Sequence, residues 1–167
     1  MSGGYEIVLW FILVVASITD LLWGKIYNHL TLTFMGAGVL VRLFLEGPPS
    51  LTPSISAVAT AFILFFPLYY LKTLAAGDVK LMMAFGAWAN PELVIHLGLT
   101  AIILSAPVGL FILLRKKGVQ KSASSIATAL KFKSEDSKKM TRMPFGPAFL
   151  CSFLFLKIAE FKGWSFF

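Results

Sequence analysis

Two aspartates stand where an apolar chain gives them little company. Asp20 lies in "SITDLLWGKIYNHLT" (17–31) and Asp78 in "LAAGDVKL" (74–81). Two carboxyls held close cannot both ionise comfortably, so such a pair keeps one proton between them. The ionised member can activate water and the protonated member can polarise a peptide carbonyl, the arrangement of aspartic proteases. The same residues could instead serve structure, each binding backbone at a helix end, and on spacing alone the two readings stand level. Other chemistries have less to work with. The single cysteine, Cys151, excludes an intramolecular disulfide and any multi-cysteine zinc site, and its apolar run suggests a packed core thiol. Ser17 beside Asp20 lacks a neighbouring base for nucleophilic catalysis. His29 and His96 fall near opposite ends of the spans expected below, so one metal site cannot hold both. No metal or cofactor is expected.

The elements that must position the aspartates are apolar. The chain has 167 residues, is 57% hydrophobic and carries only 14% charged residues, with a mean hydropathy of +0.81. Residues 47–71 and 93–114 contain no Asp, Glu, Lys or Arg. Each stretch is long enough to cross a hydrocarbon core of ~30 Å at ~1.5 Å per residue. The expectation is an all-α, polytopic membrane protein, a single membrane domain over 1–167. Residues 1–9 lack Lys and Arg, and Glu6 stands where a signal peptide would be basic, so the first apolar segment reads as a retained span.

Six transmembrane helices are expected. They cover about 5–23, 28–45, 54–71, Gly77 to the "ANP" at 89–91, 91–114 and 144–161. "EGPPSLTPS" (46–54) breaks the chain between the second and third, since proline removes donors and fixes φ. Asn90 suits an N-cap and Pro91 the first helical turn. Joining the fourth and fifth segments would give a helix of ~51 Å, too long for one crossing. Between Lys80 and Glu92 the uncharged stretch measures only ~16 Å, so the fourth helix must begin before Lys80, with that side chain snorkelling outward.

Basic residues set the orientation. With the N-terminus outside, the inner loops hold Lys25, Lys72, Lys80 and the cluster from Arg115 to Arg142. Only Arg42, Lys157 and Lys162 of the 15 basic residues remain outside. The expected topology is N-out and C-out. It places Asp20 at the inner end of span one and Asp78 at the inner start of span four. Ala16, Ser17 and Gly24 lie at helical spacing beside Asp20, a small face on which another helix can approach closely. The segment 115–143 forms a basic cytoplasmic loop. Its residues 115–142 hold nine basic and two acidic side chains. Such a segment favours anionic lipid headgroups by roughly 1 kcal/mol per basic residue near the surface. Within it, 122–132 has the pattern of a short interfacial helix. The net charge of +7 is thus a positive-inside signal, and no nucleic-acid partner is expected.

Three segments resemble the type IV prepilin peptidases, membrane aspartic proteases with a G-x-G-D-x-K motif. "AAGDVKLMMAFGAW" (75–88) is similar to that motif. "DLLWGKIYNHLT" (20–31) is similar to the stretch that follows the family's first aspartate and reads I-P-N-x-L-T, with Ile26, Asn28, Leu30 and Thr31 in place. "PFGPAF" (144–149) resembles the P-[FY]-G-P opening of the family's last helix. Two positions depart: Ala75 replaces the first motif glycine and Tyr27 the proline before Asn28. The resemblance implies Asp20 and Asp78 as catalytic residues. It implies Gly77, Lys80, Asn28, Pro144, Gly146 and Pro147 as residues shaping the site, Gly77 by letting substrate backbone come close. The substrate would be a prepilin-like protein with a short basic leader ending in glycine, cleaved at the inner face of the cytoplasmic membrane. Larger relatives also methylate the new terminus and carry a cytoplasmic region with paired cysteines. This chain lacks the length and the cysteines of that region and resembles the short members that serve tight-adherence pili or process archaeal preflagellins, so the resemblance does not extend to methylation. Two other classes stay open: a small proton- or cation-coupled transporter using the acids as a relay, and a non-catalytic subunit of a secretion assembly.

Overall fold

A computed structural model describes residues 4–71, 73–116 and 145–162, the side chains of 106–116 excepted. The described residues form six α-helices and no strand: α1 (Glu6–Trp23), α2 (Asn28–Glu46), α3 (Leu51–Tyr70), α4 (Ala76–Trp88), α5 (Pro91–Lys116) and α6 (Gly146–Phe161). One 3₁₀ turn, Pro48–Ser50, precedes α3. Three segments are long and apolar enough to cross a membrane: Glu6–Trp23, Asn28–Glu46 and Pro48–Tyr70.

Local chemistry accounts for the boundaries. Gly24 ends α1 in the left-handed region at φ 61°, and its N–H donates to the Asp20 carbonyl at 2.8 Å, a conformation glycine adopts without steric cost. The break expected at 46–54 is shorter than its prolines suggest. It is confined to Gly47 and the 3₁₀ turn, because Pro53 sits in the first turn of α3, where its missing N–H costs nothing. The turn between α4 and α5 falls at Ala89–Asn90, with Pro91 opening α5 as expected.

The short helix α4 is the axis of the structure. Its 13 residues measure ~20 Å, less than the ~30 Å of a hydrocarbon core. It need not meet lipid, because α3, α2 and α1 pack around it. Val79, Leu81, Met82, Ala84, Phe85, Gly86 and Ala87 are all buried. At Gly86 a Cβ would lie 2.9 Å from the Ala57 carbonyl, so α3 touches α4 backbone to backbone. Buried helix ends must satisfy their own orphan groups. At the C-terminus of α4, Ser54 Oγ donates to the Ala87 carbonyl at 2.8 Å, and Arg42 Nη2 to the Trp88 carbonyl at 3.0 Å. The Trp88 indole N–H donates to the Phe34 carbonyl at 2.8 Å.

Edge-to-face phenylalanines complete the core. Phe65 of α3 meets Phe149 of α6 with centroids 5.8 Å apart, and Phe85 of α4 meets Phe153 of α6 at 5.6 Å. Such pairs contribute about 0.5–1.5 kcal/mol beyond their area. The helix α6 runs antiparallel to α1, and Lys157 near its end pairs with Glu6 at 2.7 Å. Cys151 corrects its expectation. It is exposed, because Phe149, Ser152, Phe153 and Leu156 take the inward face of α6.

Candidate active site

Four helix ends meet at one end of the bundle: the C-terminus of α1 and the N-termini of α2, α4 and α6. Asp20 is half-buried in the last turn of α1. Asp78 is the third residue of α4 and only 3% exposed. The carboxyls are near enough for the charge on Asp20 to act on Asp78, although 58 positions separate them in sequence.

Each carboxylate also holds a helix start. Asp78 Oδ2 accepts from the Ala75 N–H at 2.9 Å, closing the first turn of its own helix. Asp20 Oδ2 accepts from the Gly146 N–H at 2.9 Å, so α1 supplies the cap that α6 lacks locally. Each amide N–H fixes the carboxylate oxygen to which it donates. In each carboxylate the second oxygen, Oδ1, has no hydrogen-bond partner among the described residues. In each carboxylate one oxygen is therefore fixed by a backbone amide.

Gly146 fits closely onto α1. A Cβ there would lie 3.0 Å from Asp20 Cβ, 3.1 Å from Asp20 Oδ2 and 3.2 Å from the Ala16 carbonyl. Ser17 Oγ donates to the Gly146 carbonyl at 2.9 Å. The small face expected on α1 is therefore real at Ala16 and Ser17. Gly24 is not part of it, since it forms the helix stop and a Cβ there would meet nothing. The role of Ser17 was not legible in the sequence, because its partner is a backbone carbonyl 129 positions away.

The remaining predicted residues fall around this junction. Lys80 Nζ donates to Asn28 Oδ1 at 3.1 Å, tying α4 to the first residue of α2. Beside Gly77 lies Ile26, whose Cβ would lie 3.1 Å from an added Cβ, so the small residue admits the α1–α2 loop. Ala75 is extended at φ −83°, a conformation open to any residue, so the alanine in place of glycine is not strained. Pro147 lies in the first turn of α6, where its lack of an N–H is harmless. Pro144 and the segment 122–132 lie outside the described residues. His29 is exposed at this end of the bundle, whereas His96 is on α5.

A family comparison matches residues 7–110 to the type IV leader peptidase family. The chain belongs to that family. The match takes in Asp20, Asn28, Gly77, Asp78 and Lys80 and stops short of Gly146, whose place at the site rests on the geometry above. This leader peptidase family consists of proteases, and its membership agrees with the apolar helices in marking a membrane protein. No curated protein and no solved structure matches the chain.

Proposed function

We propose that this chain is a membrane-embedded aspartic endopeptidase that removes the leader peptide from prepilin-like substrates at the cytoplasmic face of the membrane. One observation supports the reading: Asp20 and Asp78 converge at a single end of the bundle, each with one oxygen held by an amide and the other without a partner among the described residues. One carboxyl, ionised, takes a proton from water as the water attacks the scissile carbonyl. The other, protonated, polarises the carbonyl oxygen and then gives its proton to the leaving amine. No metal or cofactor is required by these steps. The substrate's apolar helix would lie in the bilayer and present its cleavage site at the depth of the dyad. The six helices would run N-out and C-out through the cytoplasmic membrane, with the basic segment 115–143 against anionic lipid.

The test is direct. Purified protein is mixed with a prepilin, and cleavage is read as a shift on a gel. Loss of the leader, abolished by Asp20→Asn and by Asp78→Asn, supports the proposal. Ion-gradient-dependent transport without cleavage would favour the transporter reading. Assembly that tolerates both substitutions would favour a scaffold.

A further inference from the structure

The end of the bundle opposite the aspartates holds a second polar site. A cavity of about 170 Å³ is lined by Tyr5, Arg42, Glu46, Ser50, Trp88 and Asn90, with Pro53 at its edge. Arg42 is its unusual member. It is 6% exposed, and only Nη2 has a hydrogen-bond partner among the described residues, the Trp88 carbonyl. Its Nε is buried with no partner. The ion pairs among the described residues both use Lys157, so no described carboxylate forms a salt bridge with the guanidinium. The Tyr5 ring lies 5.6 Å from the guanidinium carbon. A buried guanidinium with an unpaired donor is costly unless an anion completes it.

Glu46 gives the cavity its second pole. It lies one turn beyond Arg42 on α2 and is exposed. Both charges line the cavity beside Tyr5, whose phenol interacts with Glu46 and with Arg42. A site with a buried donor fork and a separate carboxylate suits a ligand with an anion and a cation a few ångströms apart. We propose that this cavity binds the phosphoethanolamine headgroup of a zwitterionic phospholipid, its phosphate on Arg42 and its ammonium on Glu46. A lipid is favoured over a soluble zwitterion by the flanking surface. Leu45, just before Glu46, is 76% exposed, and Ile7, two residues after Tyr5, is 77% exposed. These side chains give the acyl chains an apolar bed. Guanidinium forks suit phosphate geometry, and interfacial Tyr and Trp suit headgroup depth.

The experiment is thermal unfolding of the delipidated protein in detergent. The probes are short-chain phosphatidylethanolamine, short-chain phosphatidylglycerol and free phosphoethanolamine. The phosphatidylethanolamine should raise Tm by roughly 5 °C near saturation. Phosphatidylglycerol, which lacks the ammonium, should give less than half of that shift. An equal shift from free phosphoethanolamine would assign the site to a soluble ligand and overturn the lipid. Arg42→Gln should remove the shift. Should that variant fail to fold, Glu46→Gln decides the matter, because Glu46 is exposed and its loss does not threaten the core. It should abolish the preference for phosphatidylethanolamine over phosphatidylglycerol. An unchanged preference in Glu46→Gln, or no shift in the parent protein, would sink the proposal. Peptidase activity is not the readout, so the dyad and this site stand or fall separately.

Discussion

The backbone N–H of Gly146 donates to Asp20 Oδ2 at 2.9 Å, and the Gly146 carbonyl accepts from Ser17 Oγ at the same distance. The glycine is thereby clamped at both ends of its own residue by one turn of α1. Asp20 cannot swing away without uncapping α6, and α6 cannot slide without releasing Asp20. A catalytic carboxylate gains fixed orientation from such a clamp.

Asp20→Asn and Asp78→Asn should each reduce leader cleavage to background while the protein still inserts and folds. Asparagine keeps an oxygen to accept from Gly146 or Ala75 but cannot share the proton. The double variant should be no worse than either single one, because both residues serve one chemical unit. A gel-shift time course measures this. Cleavage near the parental rate in either variant would return the aspartates to a purely capping role.

Gly146→Ala should cut cleavage by roughly tenfold or more, because a Cβ at 3.1 Å from Asp20 Oδ2 must displace the carboxylate or the helix. Overpacking of this kind costs about 1–3 kcal/mol. Ser17→Ala, which removes only the other half of the clamp, should have a smaller effect of the same sign. Both are read from single-turnover rates beside thermal unfolding, so that misplacement is separated from unfolding.

Lys80→Gln should retain substantial activity. The Lys80–Asn28 contact joins two helices at the rim of the site, and neither atom touches the carboxyls. A double-mutant cycle with Asn28→Ala should give a coupling of ~1 kcal/mol or less in stability, the usual scale of a partly exposed polar pair. Loss of all cleavage in Lys80→Gln would show that the amine takes part in the reaction.

Gly86→Val should lower Tm more than any change on the exposed faces, because even a Cβ would lie 2.9 Å from the Ala57 carbonyl and backbone cannot rotate aside. Separation of α3 from α4 would follow. Calorimetry or circular dichroism against Phe62→Val, an exposed position on α3, makes the comparison.

Single cysteines at Pro49 and Ser125, in a Cys151→Ser background, should label from opposite sides of the membrane. Pro49 is exposed in the turn before α3, whereas its neighbour Ser50 is engaged with the Arg42 and Gly47 carbonyls. Cys151 is exposed, so its replacement is benign. Labelling of both from one side would refute the N-out, C-out arrangement.

Much of this was legible beforehand. Apolar runs and proline or glycine breaks located the six helices to within a few residues, because those signals are local. The convergence of Asp20 and Asp78 follows from alternating helix direction, whereas the Glu6–Lys157 pair appears only in the structure. What stayed hidden depended on which face of a helix turns inward. Cys151 and Ser152 are adjacent, yet one is exposed and the other buried. In a chain apolar on every side, the sequence pattern carries no such phase. The sequence places Arg42 only on the outer side of the membrane, because its burial depends on α4 ending beneath it. The contact of Ile26 with Gly77 is not legible in the sequence, because it runs through a loop whose path no periodicity describes.

The clamp on Gly146 also imposes an order on synthesis. Ribosomes make the chain from its N-terminus, so Asp20 and Asp78 are both in place before residue 146 exists. Until α6 arrives, the Asp20 carboxylate lacks its amide partner and the α1 face at Ala16 and Ser17 lies uncovered. The nascent bundle thus carries both acids well before it carries their final alignment. Maturation of this site is tied to the last described helix, and half-made copies in the membrane hold the dyad without the element that aims it.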